Sequence, residues 1–133
     1  MKIISKDLRD GEKLPERHVF NGMGYQGENI SPHLAWEAAP EGTKSFVVTC
    51  YDPDAPTGSG WWHWVVANIP ASTTSLPQGA GSGKASMPAG AIQTRTDFGQ
   101  AGDFLPRCGH TGSDLHLNDC SCNQDHVRHI IIL

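Results

Sequence analysis

The sequence predicts an all-β fold of one domain, and three observations support this class. With 133 residues, 38% of them hydrophobic, the chain can form one core and matches roughly one domain of 150 residues. Its 15 glycines and 9 prolines disfavour long helices, because both residues are unfavourable inside a helix. Two runs at 45–51 and 61–69 are rich in β-branched and aromatic residues, as strands are.

The first predicted elements are a turn with a short strand at 29–36 and a long strand at 45–51. In a strand, side chains alternate between the two faces. This alternation places Phe46, Val48 and Cys50 on one face of the long strand. No turn-forming residue interrupts the run, so we predict that it is continuous.

The second long strand is predicted at 61–69. Regular alternation places Trp61 and His63 on one face, and Trp62 and Trp64 on the other. Apolar residues on both faces are typical of a strand that is covered on both sides. We therefore predict that this strand is central in its sheet.

The loop at 52–60 joins the two long strands and carries the best candidate for a site. Asp52 and Asp54 lie at its start, and its two prolines, Pro53 and Pro56, restrict the backbone. A stiff loop that carries two acids can hold them in fixed positions. The simpler interpretation is a surface turn with solvated aspartates.

His63 is the predicted partner of this loop. A buried histidine often bonds only a backbone carbonyl, but Asp52 could fix the tautomer or charge of this imidazole. Together with backbone N–H groups of the loop, the ring would form a small anion-binding pocket. Trp61 and Trp62 would supply apolar walls, as is common in ligand sites.

A hydrolase is the first alternative, because Asp52 and His63 supply two members of a catalytic triad. No G-x-S-x-G motif supplies the nucleophile. Ser59 and Ser82 lie between glycines and are more simply interpreted as turn residues. We therefore expect no enzymatic activity and no cofactor.

The glycine-rich loop at 78–84 does not match a phosphate-binding loop. Such a loop needs Ser or Thr after its lysine to hold magnesium, and Ala85 follows Lys84 here. We predict an ordinary loop at this place.

A zinc-dependent interaction module is the second alternative, with Cys108, His110, Cys120 and Cys122 as candidate ligands. The spacing is poor for zinc, since no C-x-x-C pair is present. Our main prediction is therefore that the chain binds no metal.

Composition changes near residue 99, and this break sets the predicted organisation. Residues 100–133 contain three of the four cysteines and neither Lys nor Glu, whereas 1–99 hold all four tryptophans. We predict a strand-rich portion at 1–99 and an irregular Cys/His-rich tail at 100–133. The tail is interpreted as disordered or as the product of a shifted reading frame.

The net charge of −4 excludes several classes of partner. No basic surface is present for nucleic acid, and no apolar run approaches the ~20 residues of a membrane span.

The first residues carry charges and no apolar leader, which predicts a cytoplasmic protein with reduced thiols. If the sheets are incomplete, their unpaired edges favour association, so a homo-oligomer is a further expectation.

Three runs of residues resemble the phosphatidylethanolamine-binding protein (PEBP) family: N-I-S-P-H-L-A-W at 29–36, Y-D-P-D-A-P at 51–56 and W-W-H-W-V-V-A-N at 61–68. They look closest to its bacterial YbhB/YbcL-type, Raf kinase inhibitor-like branch. The glycines at 79–83 and T-R-T-D-F-G at 94–99 also resemble that branch. The resemblance covers about residues 1–99.

The resemblance implies a β-sandwich of antiparallel sheets and a pocket for phosphate-like anions and phospholipid head groups. Asp52 and Asp54 match the acids of the family's D-P-D-x-P signature, Pro56 matches its last proline, and His63 matches the pocket histidine. Members generally bind or inhibit, with kinases or serine proteases as protein targets, and are not enzymes.

The tail departs from the family pattern. The resemblance implies a G-x-H-R signature after Gly99, whose histidine completes the pocket, and this signature is absent from the sequence. We therefore predict an incomplete sandwich with part of its pocket present.

Overall fold

A computed structural model describes residues 1–99, except 23, 54 and 56, and the strands at 115–119 and 128–132. The described helical segments are two 3-10 turns, Glu16–His18 and Ala80–Ser82. No helix in this part of the chain is long and apolar enough to cross a membrane. The strands are β1 Lys2–Ile4, β2 Asn21–Gly22, β3 Tyr25–Gln26, β4 Leu34–Glu37, β5 Ser45–Asp52, β6 Trp61–Pro70, β7 Ser75–Leu76, β8 Ile92–Gln93, β9 Leu115–Asp119 and β10 Arg128–Ile132. The predicted all-β class is therefore confirmed.

The strands form three sheets. A five-stranded sheet has the order β8-β6-β5-β10-β9, a three-stranded sheet has the order β1-β4-β7, and β2 and β3 form a hairpin. Neighbouring strands are antiparallel, except that β10 runs parallel to β9. The two longest strands, β5 and β6, are adjacent in the large sheet, and both have partners on each side. The predicted central position of β6 is confirmed.

The prediction of an irregular tail is wrong at β9 and β10. β10 pairs with β5 in antiparallel register, from His129 opposite Tyr51 to Ile132 opposite Val48. Without β10, β5 would be an edge strand with unpaired backbone N–H and C=O groups. A run of three isoleucines at 130–132 has the β-branched composition that strands favour.

The core lies between the two larger sheets. As predicted, the buried face of β5 carries Phe46, Val48 and Cys50. From the three-stranded sheet, Trp36 meets Phe46 edge to face, with ring centroids 5.2 Å apart. The other core residues in this cluster are Leu8, Leu34, Trp64, Val66, Ile69 and Leu76.

Two bulges interrupt the pairing of β6 with β5. Cys50 faces Trp64 and the next residue, Tyr51, faces Trp62, so His63 is an extra residue between these two pairs. A single extra residue reverses the alternation of side chains beyond it. The prediction that Trp62 and Trp64 share a face is therefore wrong: Trp64 is 1% exposed in the core, whereas Trp62 is 40% exposed.

The glycine-rich loop is fixed to the polypeptide around Ser31. The backbone N–H of Gly81 donates to Ser31 Oγ at 2.7 Å, and that of Gly79 donates to the Ser31 carbonyl at 2.8 Å. Ser31 N–H donates in turn to Ser82 Oγ at 2.9 Å. A Cβ on Gly81 would lie 2.5 Å from the Trp64 ring, so only glycine fits without displacement. These contacts agree with the prediction of a structural loop.

His18 makes folding stability depend on pH. Its side chain is fully buried, and its Nδ1 donates to the Ile30 carbonyl at 2.6 Å. Burial lowers the pKa of His18, although the Ile30 carbonyl and the nearby Asp7 act in the opposite direction. Because the unfolded chain then binds a proton more readily, stability is retained above about pH 6.5 and lost as the pH falls through the lower folded-state pKa.

Between pH 7.5 and pH 5.5 we expect this group to lower the free energy of unfolding by at most about 1.4 kcal/mol per pH unit, measured by urea denaturation. His18→Gln, which can still donate a hydrogen bond but does not titrate, should give a shallower pH dependence over the same range. Equal slopes for the two proteins would contradict the role of His18.

Candidate functional site

Asp52 and His63 come together in the large sheet. Asp52 is the last residue of β5, and His63 is the extra residue in the β6 bulge. Asp52 Oδ2 lies 3.5 Å from His63 Nε2, and the two side chains are 5% and 2% exposed. The bulge brings Trp61 opposite Asp52. Three of the five predicted site residues thus lie together, while Asp54 and Pro56 lie outside the described residues.

An aromatic cluster lies against this pair. The ring of Phe98 has its centroid 5.9 Å from that of His63, 5.3 Å from Trp61 and 5.8 Å from Phe20. The Trp61 contact is edge to face, a preferred arrangement for aromatic pairs. Sequence analysis missed Phe20 and Phe98 as site residues. The T-R-T-D-F-G run could have pointed to Phe98, but no pattern in the sequence points to Phe20.

The segment that carries Phe98 is attached to the edge of β6. Asp97 pairs reciprocally with Trp62: its carboxylate accepts from the Trp62 N–H at 2.8 Å, and its own N–H donates to the Trp62 carbonyl at 3.1 Å. Thr94 N–H donates to the Val65 carbonyl at 2.9 Å. These bonds place Phe98 beside the His63 bulge.

The loop after β5 is tied back to its strand on the other face of the sheet. The hydroxyl of Tyr51 donates to the Ser59 carbonyl at 2.6 Å, and its ring lies 4.5 Å from that of Trp62. Thr57 Oγ1 donates to the Gly60 carbonyl at 2.7 Å. A side chain at Gly60, which has φ +75°, would collide with the Tyr51 ring. The bond from Tyr51 to Ser59 therefore ties the later part of the loop to β5.

Hydrogen-bonding capacity remains at the site. The indole Nε1 of Trp61 is buried and has no acceptor within the described part of the chain. Buried donors of this kind are uncommon, because protein groups or ordered water usually satisfy them. The arrangement suits binding of a hydrogen-bond acceptor.

The alternative sites are less well supported. Ser82 Oγ, a candidate nucleophile, is bonded to the Ser31 backbone. No group of three or more potential metal ligands is found in residues 1–99 outside the three gaps. The candidate zinc ligands Cys108, His110, Cys120 and Cys122 lie outside the described residues.

A family model described as phosphatidylethanolamine-binding protein matches residues 4–117. The match therefore extends beyond residue 99, the limit expected from the motifs. UPF0098 protein YbhB of Escherichia coli K12 is 76% identical over 102 residues, which are 77% of this chain and 65% of YbhB. UPF0098 protein YbcL of the same organism is 53% identical over 116 residues, 86% of this chain and 63% of YbcL. The chain thus spans slightly less than two thirds of the length of these relatives.

Two solved structures are similar to the fold. The crystal structure of E. coli YbcL, described as a new member of the mammalian PEBP family, aligns with a TM-score of 0.77 at 53% identity. The alignment covers 85% of this chain and 69% of YbcL. A putative PEBP homologue from Chlamydia trachomatis, CT736, aligns with a TM-score of 0.63 at 27% identity, covering 78% of this chain and 63% of CT736.

Proposed function

The chain belongs to the phosphatidylethanolamine-binding protein family, and from this we propose that Asp52, His63 and Trp61 bind a small phosphate-bearing or otherwise anionic ligand. The observation that supports the proposal is the buried Asp52–His63 pair beside an indole N–H that has no acceptor among the described residues. Phosphate oxygens are strong acceptors for such donors. The aromatic rings around the pair would exclude water and strengthen these bonds.

We propose binding rather than turnover. A hydrolase would need a nucleophile within reach of His63. Ser82 is engaged with Ser31, and Ser59 belongs to the turn whose carbonyl binds Tyr51. Turnover of generic esters or phosphoesters that is lost in His63→Ala would favour the hydrolase instead.

The test is an NMR titration of the full chain with inorganic phosphate and with phosphoethanolamine. We expect weak binding, with Kd on the order of millimolar. His63→Ala should weaken it by about 10–100-fold, the effect of losing a hydrogen bond to a charged group, which contributes about 1.5–3 kcal/mol.

Ile92→Ala is the matched control, because Ile92 is 58% exposed on β8 and touches neither Asp52 nor His63 in the described contacts. It should bind as the unmodified chain does. If His63→Ala and Ile92→Ala bind phosphate equally well, the site has been assigned to the wrong residues.

A further inference from the structure

We infer that the side chain of Phe98 controls the access of solvent and ligands to His63. Its ring closes the buried pair against solvent, and a ligand reaches His63 when the 97–99 segment moves aside. The access role stands on the geometry of this segment, whereas its effect on a ligand rests on the proposed function. Both polar side chains are buried, and the half-buried ring of Phe98 contacts His63.

The ring of Phe98 packs on His63 and Trp61 and shields them from solvent. His63 is 1% exposed, and the Phe98 ring packs on it while remaining partly open to solvent. The same ring touches Trp61, whose indole N–H has no acceptor in the part of the chain that the structure describes. Displacing one side chain would therefore uncover an imidazole and a buried donor together.

The backbone around Phe98 suits a local movement. Thr96 is buried and the preceding Thr94 is bonded to β6, so the segment is fixed on that side. Asp97 and Gly99 are exposed, and Gly99 has φ +78°, a conformation that glycine adopts at little cost. Beyond Thr96, the segment is held by the bonds between Asp97 and Trp62 and by two turn bonds, from Phe98 N–H to Thr96 Oγ1 at 3.3 Å and from Gly99 N–H to the Thr96 carbonyl at 2.9 Å. Each hydrogen bond of this kind contributes only about 0.5–1.5 kcal/mol of net stability.

The experiment measures how fast diethylpyrocarbonate modifies His63 in the full chain, by peptide mass spectrometry. Phe98→Ala should raise the rate about tenfold or more, because the reagent then reaches the ring without a local opening. Asp97→Ala keeps the Phe98 side chain but removes a hydrogen bond that holds its segment against β6. This variant should therefore also raise the rate. Ile92→Ala is the control and should leave the rate unchanged, because Ile92 is 58% exposed on β8 and no described contact joins it to Phe98.

His18 provides an internal control for unfolding, because it is fully buried and no described contact joins it to Phe98. If His18 reacts faster by the same factor as His63 in both variants, the whole fold has opened and the access role is wrong. Unchanged His63 rates in Phe98→Ala and Asp97→Ala would also overturn it.

Phosphate binding separates this inference from the proposed function. If the site binds phosphate, Phe98→Ala should raise both the association and the dissociation rate constants, measured by NMR lineshape, by about tenfold. If His63 becomes more reactive in the variants while neither the unmodified chain nor any variant binds phosphate, Phe98 controls access to His63 and the proposed ligand is wrong. If phosphate binds with unchanged kinetics in Phe98→Ala, the access role is wrong and the binding site stands.

Discussion

Trp64→Ala is expected to lower the free energy of unfolding by about 3–5 kcal/mol, the usual cost of truncating a buried aromatic residue. Trp64 is 1% exposed, packs against Gly81, and donates from its indole N–H to Gln93 Oε1 at 2.8 Å. The substitution removes the largest fully buried side chain of the core. Urea denaturation monitored by far-ultraviolet circular dichroism measures the loss.

Trp62→Ala is the matched comparison, since it removes the same side chain two positions earlier on β6. Trp62 is 40% exposed and stacks on Tyr51. We expect a loss of about 1 kcal/mol, the scale of one aromatic pair. Equal losses in the two variants would mean that both rings share a face, and the bulge at His63 would then be wrong.

Gly27→Ala is expected to lower the free energy of unfolding by about 3 kcal/mol, at the upper end of overpacking effects. A Cβ on Gly27 would collide with the backbone carbonyl of Val19, which also accepts a hydrogen bond from Asn29 N–H at 2.9 Å. Main chain cannot turn away as a flexible side chain can. The strand-like segment at 19–22 would have to separate from 25–29, which would also move Phe20.

Gly24→Ala separates this collision from the general effect of replacing a glycine. Gly24 has φ +92° but no atom within 4 Å of the added Cβ. Gly24→Ala should therefore lower the free energy of unfolding only by the cost of a positive φ at a residue with a Cβ, about 1–2 kcal/mol. A thermal or urea melt that shows Gly27→Ala to be no worse than Gly24→Ala would contradict the close approach at Val19.

The long strands were predictable because their composition and their limits are local properties. The runs at 45–51 and 61–69 needed only β-branched and aromatic residues between turn residues, and the structure has strands at Ser45–Asp52 and Trp61–Pro70. The pairing of Asp52 with His63 was predictable for the same reason, because one short loop joins their strands. Local sequence therefore predicts the hairpin and its two polar residues.

The bulges and the aromatic cluster were not predictable from local pattern. Alternation assumes that each residue of β6 has one partner on β5, and an extra residue at His63 breaks this rule without any glycine or proline to mark it. Phe20 and Phe98 reach the site from distant parts of the chain, so their approach depends on tertiary packing. The pairing of β10 with β5 also depends on an edge that only the assembled sheet offers.

The hairpin arrangement also bears on the order in which this site forms during folding. Asp52 and His63 are eleven positions apart in the sequence, and a loop of about ten residues closes within roughly 10–100 ns. The Asp97–Trp62 contact spans 35 positions and adds the entropy of a longer loop. A nascent β5–β6 hairpin would therefore bring the acid and the imidazole together while they are still open to water, and the Phe98 ring would reach them afterwards.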